Sequence, residues 1–251
     1  MSDLHFVDTH LHLEELADPD AAVLSAAAVG VTRLITMGTD LASSRGAIAL
    51  AERSGGVFAA IGHHGATTEE PDLDALEDLI EHPRVVAVGE VGIDGPFSET
   101  PLQVQADWFD GACSLARRHS LPVCVHVRDS APEVAAVLAN HPGLMGVIHY
   151  FSLDWEWAER FLALGMHISF AGLTTRAQRH QLRDVARRCP ADRLLLETDS
   201  PFGTPRGRQG PNQPAYLIDT ATLVAELRGL SLEDLAEIEL ANARLLFSKL
   251  V

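Results

Sequence analysis

Short apolar runs alternate along the chain with longer amphipathic segments. The apolar runs predict eight β-strands, over residues 4–7, 31–37, 57–62, 85–88, 121–126, 144–149, 166–170 and 193–197. The amphipathic segments predict helices over residues 21–29, 41–53, 73–81, 102–118, 132–139, 155–163 and 176–188, with two more after an irregular loop over residues 201–214. Eight strand–helix units predict an α/β fold, a (β/α)8 TIM barrel formed by a single domain over residues 1–251.

An open, doubly wound sheet is the alternative arrangement for alternating strands and helices. That fold commonly binds phosphate at a glycine-rich turn after its first strand, and no such turn follows residues 4–7. The chain has 251 residues, of which 47% are hydrophobic, and no linker or low-complexity tract divides it. These features favour one barrel domain over two smaller units.

The composition narrows the setting and the partners. The sequence has neither a leader-type start nor an apolar stretch long enough to cross a bilayer, which predicts a cytoplasmic protein with no membrane association. Cys113, Cys124 and Cys189 are widely separated and indicate neither a disulfide framework nor a thiolate metal site. No obligate protein partner is evident. The formal net charge of −16 argues against broad binding of duplex DNA, but it allows a phosphate to bind at one local site.

Polar side chains gather at the predicted carboxyl ends of the strands. His10 and His12 follow the first strand, and because alternate residues of a strand share a face, we expect both imidazoles to point the same way. The ends of later strands carry Glu90, His126, His149 and Asp199. In a barrel all of these ends converge on one mouth, where the side chains become neighbours. We assign the other histidines on helices and strand starts to the surface or to structural roles: His5, His82, His119, His141, His167 and His180.

Structural interpretations remain open beside the metal-binding one. His126 and His149 can each be a neutral, buried imidazole bonded to the backbone. Glu90 stands between glycines at a strand end, where a buried carboxylate is costly to ionise without a cation, so a metal-bridging role is favoured. We interpret Glu197 as a partner that orients a ligand, and Asp8 either as another such partner or as the cap of a turn.

Histidine and carboxylate ligands in these numbers are enough for two divalent metal ions that share Glu90. Because no thiolate is among them, zinc, manganese and magnesium (Zn, Mn or Mg) all fit the set. Two such ions suit hydrolysis, since one activates a water molecule and the pair stabilises the attacking and leaving oxygens. The sequence therefore predicts a metal-dependent hydrolase.

Six motifs extend this prediction to a family. They are Asp8-Thr9-His10-Leu11-His12, Gly89-Glu90-Val91-Gly92-Ile93-Asp94, Pro122-Val123 with His126-Val127-Arg128-Asp129, Ile148-His149-Tyr150-Phe151-Ser152, Glu197-Thr198-Asp199-Ser200-Pro201 and Asn242-Ala243-Arg244. In this order, from the first strand to the last helix, they closely resemble the TatD family of metal-dependent deoxyribonucleases. The resemblance implies a TIM barrel of the amidohydrolase type that uses divalent metals to hydrolyse phosphodiester bonds of DNA.

The resemblance also implies a ligand set and a substrate form. The positions that match the family's ligands are His10, His12 and Asp199 for one metal, Glu90 for the bridge, and His126 and His149 for the other metal. DNA is the expected partner, and a buried barrel mouth accepts a single strand or a frayed end more easily than a duplex. An exonuclease acting on single-stranded ends is therefore expected.

The chain departs from the family pattern in its loops. The family usually has Gly-x-His-Pro after the third strand, whereas this chain has Gly62-His63-His64-Gly65, so His64 takes the family position and His63 is extra. Gly95-Pro96-Phe97 replaces an aromatic pair, and Gln213 stands where an acidic residue is common, although Arg206-Gly207 and Asn212 are kept. Such loops shape the walls of the site, so these departures bear on substrate choice more than on metal chemistry.

The mechanism that we predict is attack of metal-activated water on a scissile phosphate, with Arg128 or His64 stabilising charge and Asp199 helping to take the proton. A salt bridge with a surface carboxylate is an equally good interpretation of Arg128. Two other functions keep the same fold: a hydrolase of a small ester, amide or lactone, and a non-catalytic metal-binding scaffold. The complete ligand set argues against the scaffold. Arginines near the mouth would distinguish a phosphodiester substrate, and Arg128, Arg206 and Arg208 are the candidates.

Overall fold

The computed structural model describes residues 4–250, so residues 1–3 and 251 of the predicted domain lie outside the described part. Eight parallel strands pair in chain order: β1 Phe6–Leu11, β2 Val31–Met37, β3 Val57–Ile61, β4 Val85–Ile93, β5 Val123–Val127, β6 Gly146–Ile148, β7 Met166–Phe170 and β8 Leu194–Leu196. The helices are α1 Pro19–Ala28, α2 Leu41–Arg53, α3 Leu73–Ile80, α4 Leu102–Arg118, α5 Ala131–Ala139, α6 Trp155–Ala163, α7 His180–Arg188, α8 Leu217–Arg228 and α9 Leu232–Leu246. The predicted (β/α)8 barrel is confirmed. None of the helices in residues 4–250 is both long and apolar enough to cross a membrane.

Aspartates start several of the helices. The side chains of Asp18, Asp40, Asp72 and Asp154 accept hydrogen bonds from backbone N–H groups in the first turns of α1, α2, α3 and α6. Each bond pairs one of the N–H groups that a helix start leaves without a partner. These caps fix where each helix leaves the loop at the barrel mouth, which holds those loops in place around the candidate site.

The core has two layers. The larger layer lies between the sheet and the surrounding helices, and the smaller one fills the inside of the barrel with side chains such as Val7, Phe58 and Val147. Phe247 and Leu250 pack against this inner layer from the end of the chain. The barrel is therefore solid at its centre, as this fold generally is, and a cavity opens at the carboxyl ends of the strands.

The seam between β8 and β1 closes the barrel. Beyond the regular end of β8, the Asp199 N–H donates to the His10 carbonyl over 2.9 Å, and the His12 N–H donates to the Ser200 carbonyl over 2.7 Å. Toward the other end of the seam, the buried carboxyl of Glu239 on α9 accepts the Val7 N–H at 3.0 Å. These hydrogen bonds join β1 to the segment after β8, although the two lie far apart in the sequence. Residues of both segments are thereby brought into one site.

The apolar pattern misplaced several element ends. β1 covers residues 6–11 instead of 4–7, and β4 continues from Val85 to Ile93 instead of ending at residue 88. Both strands continue through polar residues because those residues are buried in the mouth. α7 begins at His180, not at residue 176, because residues 172–175 form a separate 3-10 turn. β6 and β8 are also shorter than predicted, at residues 146–148 and 194–196.

Candidate metal centre

Backbone strain is concentrated at the mouth of the barrel. In residues 4–250, four residues other than glycine have a positive φ, and three of them, Asp129, Tyr150 and Asp199, lie just beyond β5, β6 and β8. Such backbone costs roughly 1–3 kcal/mol per residue and is typical of functional sites, where the surrounding structure enforces it. This distribution points to the mouth as the working end of the molecule.

Glu90 lies at the centre of a cluster of imidazoles. The side chain is 3% exposed and projects from β4. Its Oε1 lies 2.9 Å from His126 Nδ1, 3.0 Å from His149 Nε2 and 3.2 Å from His64 Nε2, and its Oε2 lies 3.5 Å from Nε2 of both His10 and His12. One carboxylate thus faces two separate sets of nitrogen atoms.

Asp199 completes the set on the Oε2 side. Its Oδ1 lies 3.5 Å from His12 Nε2 and 3.9 Å from His10 Nε2. The described part of the chain contains three groups of ligand atoms that lie within 4.8 Å of one another: His10 with His12 and Asp199, His10 with Glu90 and His149, and His64 with Glu90 and His126. The structure therefore brings together all six residues that the sequence nominated as ligands, and His64 with them.

Two further carboxylates lie against the outer nitrogens of the histidine rings. Asp94 Oδ1 lies 2.9 Å from His126 Nε2, and a Glu197 oxygen lies 3.4 Å from His149 Nδ1. Because each ring directs one nitrogen to its carboxylate, the other nitrogen is left to face Glu90. The position of Glu197 agrees with the orienting role expected for it. Asp94 was not among the residues that the sequence indicated for the site; it comes directly after Ile93, the last residue of β4, and four residues after Glu90.

Gly92 allows β4 and β5 to approach each other beside the cluster. Its φ is +135°, and a Cβ atom there would collide with the backbone of His126. A residue with a side chain would also be strained at this φ. The glycine between Glu90 and Asp94 therefore sets how close His126 comes to both carboxylates.

The electrostatics of the cluster suit a cation. Burial lowers the pKa of His10 to about 3, and neither of its ring nitrogens has a hydrogen-bond partner among residues 4–250. Burial opposes the ionisation of Glu90, but the imidazoles around it, His64 and His149 first, hold the pKa of this carboxyl well below its usual range. Burial also disfavours the charged form of His149, yet Glu90 and Glu197 raise its pKa well above the usual value. The cluster thus combines an ionised carboxylate, a neutral imidazole, and an imidazole at which a proton and a metal ion would compete for the same nitrogen. These are the features of a metal site, so the residues present fit divalent ions.

Other nominated residues lie outside this cluster. Asp8 accepts hydrogen bonds from the N–H and the hydroxyl of Thr198, so it holds the segment after β8 against β1. The extra histidine of the third loop, His63, contacts Thr67 and the ring of Trp108. Among the described residues, the histidines assigned to the surface or to structural roles belong to none of the three ligand groups. His141, for example, pairs with Asp110 at 2.8 Å.

Arg128 lies at the rim of the mouth. Its guanidinium stacks 3.6 Å from the centre of the Phe97 ring and lies 3.7 Å from Asp94 Oδ1, and 54% of the side chain is exposed. Its carboxylate neighbour is thus the buried Asp94, not one on the surface. The mouth itself is a cavity of about 480 Å³ that is lined by the cluster, Arg128 and Phe202. That volume accommodates a substrate group beside the cluster.

Comparison with known proteins agrees with this geometry. The family model described as TatD related DNase matches residues 7–248. An uncharacterised metal-dependent hydrolase of Bacillus subtilis, YabD, is 33% identical over 249 residues, which cover 96% of this chain and 98% of YabD. The 3'-5' ssDNA/RNA exonuclease TatD of Pantoea vagans is 36% identical over 243 residues, 92% of this chain and 94% of that protein. The crystal structure of YjjV, a TatD homologue from Escherichia coli K12, superposes with a TM-score of 0.91 at 34% identity and covers 97% of this chain and 98% of YjjV.

These matches cover nearly the whole chain and nearly the whole of each relative, so the barrel and its mouth are shared rather than one motif alone. They confirm the resemblance that the six motifs indicated. They also agree with the chemistry of the cluster, since relatives at 33% and 35% identity are named metal-dependent hydrolases. The chain belongs to the TatD related DNase family of metal-dependent hydrolases.

Proposed function

We propose that this protein hydrolyses phosphodiester bonds at the ends of single-stranded DNA with the aid of two divalent metal ions. The observation that carries the proposal is the position of Glu90, whose two carboxylate oxygens face two different sets of imidazoles in one cavity. This is the arrangement that two ions sharing a carboxylate require. The name of the Pantoea vagans relative, a 3'-5' ssDNA/RNA exonuclease, supports the choice of a nucleic-acid strand.

The ligand assignment follows from which atoms face which oxygen. His10, His12 and Asp199 would hold one ion beside Oε2. His126 and His149 would hold the other beside Oε1, where their facing nitrogens are only 3.1 Å apart. When bound, such ions lower the pKa of water and stabilise negative charge on a phosphate. Nitrogen and oxygen donors without thiolate leave zinc, manganese and magnesium as the candidates.

The hydrogen bonds of His64 favour a donor role over a ligand role. Its Nδ1 accepts the backbone N–H of Ala66 at 3.0 Å, so in the neutral ring the proton is on Nε2. That Nε2 points at the cluster, 3.2 Å from Glu90 Oε1. A ring nitrogen that carries a proton cannot bind a metal, but it can donate to an oxygen of the scissile phosphate. We therefore keep His64 as a residue that stabilises charge.

Asp199 and Arg128 would act on the substrate side. Asp199 lines the cavity and has an oxygen beside the two histidines of the Oε2 set, so it is placed to accept a proton from the attacking water. The guanidinium of Arg128 packs on Phe97 with one face and has one nitrogen beside Asp94, and more than half of the side chain stays exposed. Its free N–H groups can therefore bind phosphate oxygens at the rim.

Two aromatic rings at the mouth favour a single strand. Of the large hydrophobic side chains that are exposed in residues 4–250, the aromatic ones are Phe97 at 53% and Phe202 at 50%. Phe97 lies under Arg128, and the ring of Phe202 meets the ring of His12 at 5.8 Å. Unpaired bases stack on such rings, whereas a duplex has its bases already stacked. The net charge of −16 also disfavours a duplex held by its two backbones.

The test is hydrolysis of a single-stranded oligonucleotide by metal-stripped protein that is re-supplied with magnesium, manganese or zinc. Glu90→Gln keeps the side-chain shape but removes the shared charge. We expect this variant to lose at least about a hundredfold in activity. The loss should exceed that caused by removing a residue that only orients a ligand. Glu77→Gln is the matched control, since Glu77 pairs with Arg118 on the surface.

The outcomes separate the candidate functions. Metal-dependent cleavage that Glu90→Gln loses and Glu77→Gln keeps would support the nuclease. Near-normal turnover by Glu90→Gln with metal bound would refute the bridging role. Metal binding without cleavage of DNA would refute the substrate, and a panel of small esters, amides and lactones would then test the alternative hydrolase.

A further inference from the structure

A second cavity lies beside the mouth, between the loops that follow β7 and β8. Its volume is about 470 Å³, and residues 176–178, 204–208 and 210 line it. Arg176 belongs to the first loop, and Arg206 and Arg208 belong to the second. It shares no lining residue with the metal centre, so it is a separate concavity on the same side of the barrel.

The arginines of this cavity differ in their partners. Arg208 is bound to Asp219 through two hydrogen bonds, at 2.6 and 2.9 Å. Within residues 4–250, the guanidinium groups of Arg176, Arg206 and the nearby Arg179 have neither a hydrogen bond nor a carboxylate within 4.0 Å. All three side chains are exposed. Positive charge without an internal partner therefore faces solvent at this point of an acidic protein.

Tyr150 connects this cavity to the metal centre. It follows the candidate ligand His149 directly, and a Cβ atom on Gly203, next to the cavity residue Thr204, would touch its ring. The loop after β8, which carries Arg206 and Arg208, is therefore packed against the residue that follows a candidate ligand, and the cavity lies directly beside the metal centre.

The two loops are fixed against each other. The Arg206 N–H donates to Thr175 Oγ1 over 2.7 Å, and the guanidinium of Arg183 donates to the carbonyls of Thr174 and Thr175 at 3.2 and 3.0 Å. A Cβ atom on Gly172 would collide with the Gly203 carbonyl, so the two backbones are in close contact. The cavity is therefore built before any ligand arrives, which lowers the cost of binding.

We propose that this arginine cavity binds a backbone phosphate of the single-stranded nucleic acid, on the part of the strand that continues outward from the metal centre. The inference rests on the proposed function, because it needs a substrate that extends beyond the scissile bond. Arginine binds phosphate oxygens through two N–H groups at once, and exposed arginines without a carboxylate partner are available for this. The cavity would then separate long strands from short diesters without taking part in the bond cleavage.

The experiment compares two substrates of the metal-loaded protein, an oligothymidylate and the small diester bis(p-nitrophenyl) phosphate. We expect Arg206→Ala and Arg176→Ala each to lower kcat/KM for the oligothymidylate by about tenfold, mainly through KM, as loss of a charge-assisted hydrogen bond does. The slope of log kcat/KM against log salt should become shallower by about 0.7 per arginine removed. Activity on the small diester should stay unchanged.

Two further variants sharpen the comparison. Arg206→Lys keeps the charge but not the fork, so it should keep the salt slope and recover only part of the affinity. Arg187→Ala removes an exposed arginine at the other end of α7 and should leave both substrates unaffected. Equal activity of Arg206→Ala, Arg176→Ala and the wild type on oligothymidylate, or equal losses on both substrates, would overturn the inference alone. A wild type that cleaves the diester but not the oligothymidylate would instead overturn the proposed function, and the inference with it.

Discussion

Replacing Asp94 with asparagine tests whether this carboxylate acts through His126. Asp94 is 4% exposed, and its Oδ1 lies 2.9 Å from His126 Nε2. Asparagine has the same shape and can still accept the N–H, but it carries no charge. The backbone N–H of Asp94 donates to Gln105 over 2.9 Å and is untouched, so the end of β4 should keep its path.

The magnitude follows from the type of hydrogen bond that is lost. A hydrogen bond to a charged group contributes about 1.5–3 kcal/mol, and a neutral one contributes about 0.5–1.5 kcal/mol. The midpoints of these ranges differ by about 1.25 kcal/mol, which corresponds to a factor of nearly ten. We therefore expect Asp94→Asn to weaken metal binding and kcat/KM by about tenfold. Asp94→Ala leaves a buried N–H without a partner and should cost up to about a hundredfold.

The pH dependence distinguishes an orienting role from a general loss of stability. Burial lowers the pKa of His126, but Asp94 and Glu90 outweigh it and raise the pKa above the usual value. Without the charge of Asp94, the proton is held less tightly. The advantage of the wild type in metal affinity should therefore be largest at alkaline pH and shrink as the pH falls and protons compete more strongly in the wild type.

Calorimetric metal titration and kcat/KM, each measured against pH, check this prediction. Asp110→Asn is the matched control, because Asp110 pairs with His141 at 2.8 Å in the same way but outside the site. Asp110→Asn should bind metal and turn over substrate in proportion to its folded fraction. Asp94→Asn should lose more than its folded fraction explains, because of the effect on His126. An Asp94→Asn protein with wild-type affinity and pH profile would refute the orienting role.

Two further predictions concern protons. The raised pKa values of His126 and His149 mean that metal binding near neutral pH must displace protons, so its heat should depend on the buffer and its affinity should rise with pH; binding without proton release would contradict the ligand assignment. Burial raises the pKa of Glu239 well above the usual 4.5, so the folded state keeps this carboxyl protonated and loses stability relative to the unfolded chain as the pH rises above that value. The Glu239→Gln side chain can still accept the Val7 N–H, so this variant should become more stable than the wild type as the pH increases. An equal difference in the free energy of unfolding between the two proteins at acid and alkaline pH would refute this.

The fold and the gathering of His10 and His12 near Glu90 could be predicted because they depend on order along the chain. Apolar runs alternate with amphipathic segments, and a parallel barrel sends every strand end to the same mouth. A polar residue at the end of such a run therefore has its position fixed by topology. Knowledge of side-chain contacts is not needed, which is why separate short motifs were enough to place the cluster.

Asp94 was missed for a different reason. The apolar pattern stops at the first polar residue, so β4 was expected to end before Glu90. In the structure the strand continues to Ile93 because the cluster itself buries the Glu90 side chain, and Asp94 comes directly after the strand end, 2.9 Å from His126 Nε2. The orientation of the His64 ring depends on a backbone N–H two residues later, and no pattern of residue types encodes that bond.

The arginine cavity shows where prediction from sequence stops and why. Arg206 was nominated as one of three candidate phosphate-binding arginines, whereas Arg176 had been placed inside a predicted helix. In the structure Arg176 precedes α7 and follows the turn over residues 172–175, which is bonded to the loop after β8. Docking between loops that lie far apart in the chain is decided by backbone contact at Gly172 and Gly203, not by local propensity. Ligands at strand ends are set by topology, but contacts that select the substrate are set by how loops pack, and they become visible only in three dimensions.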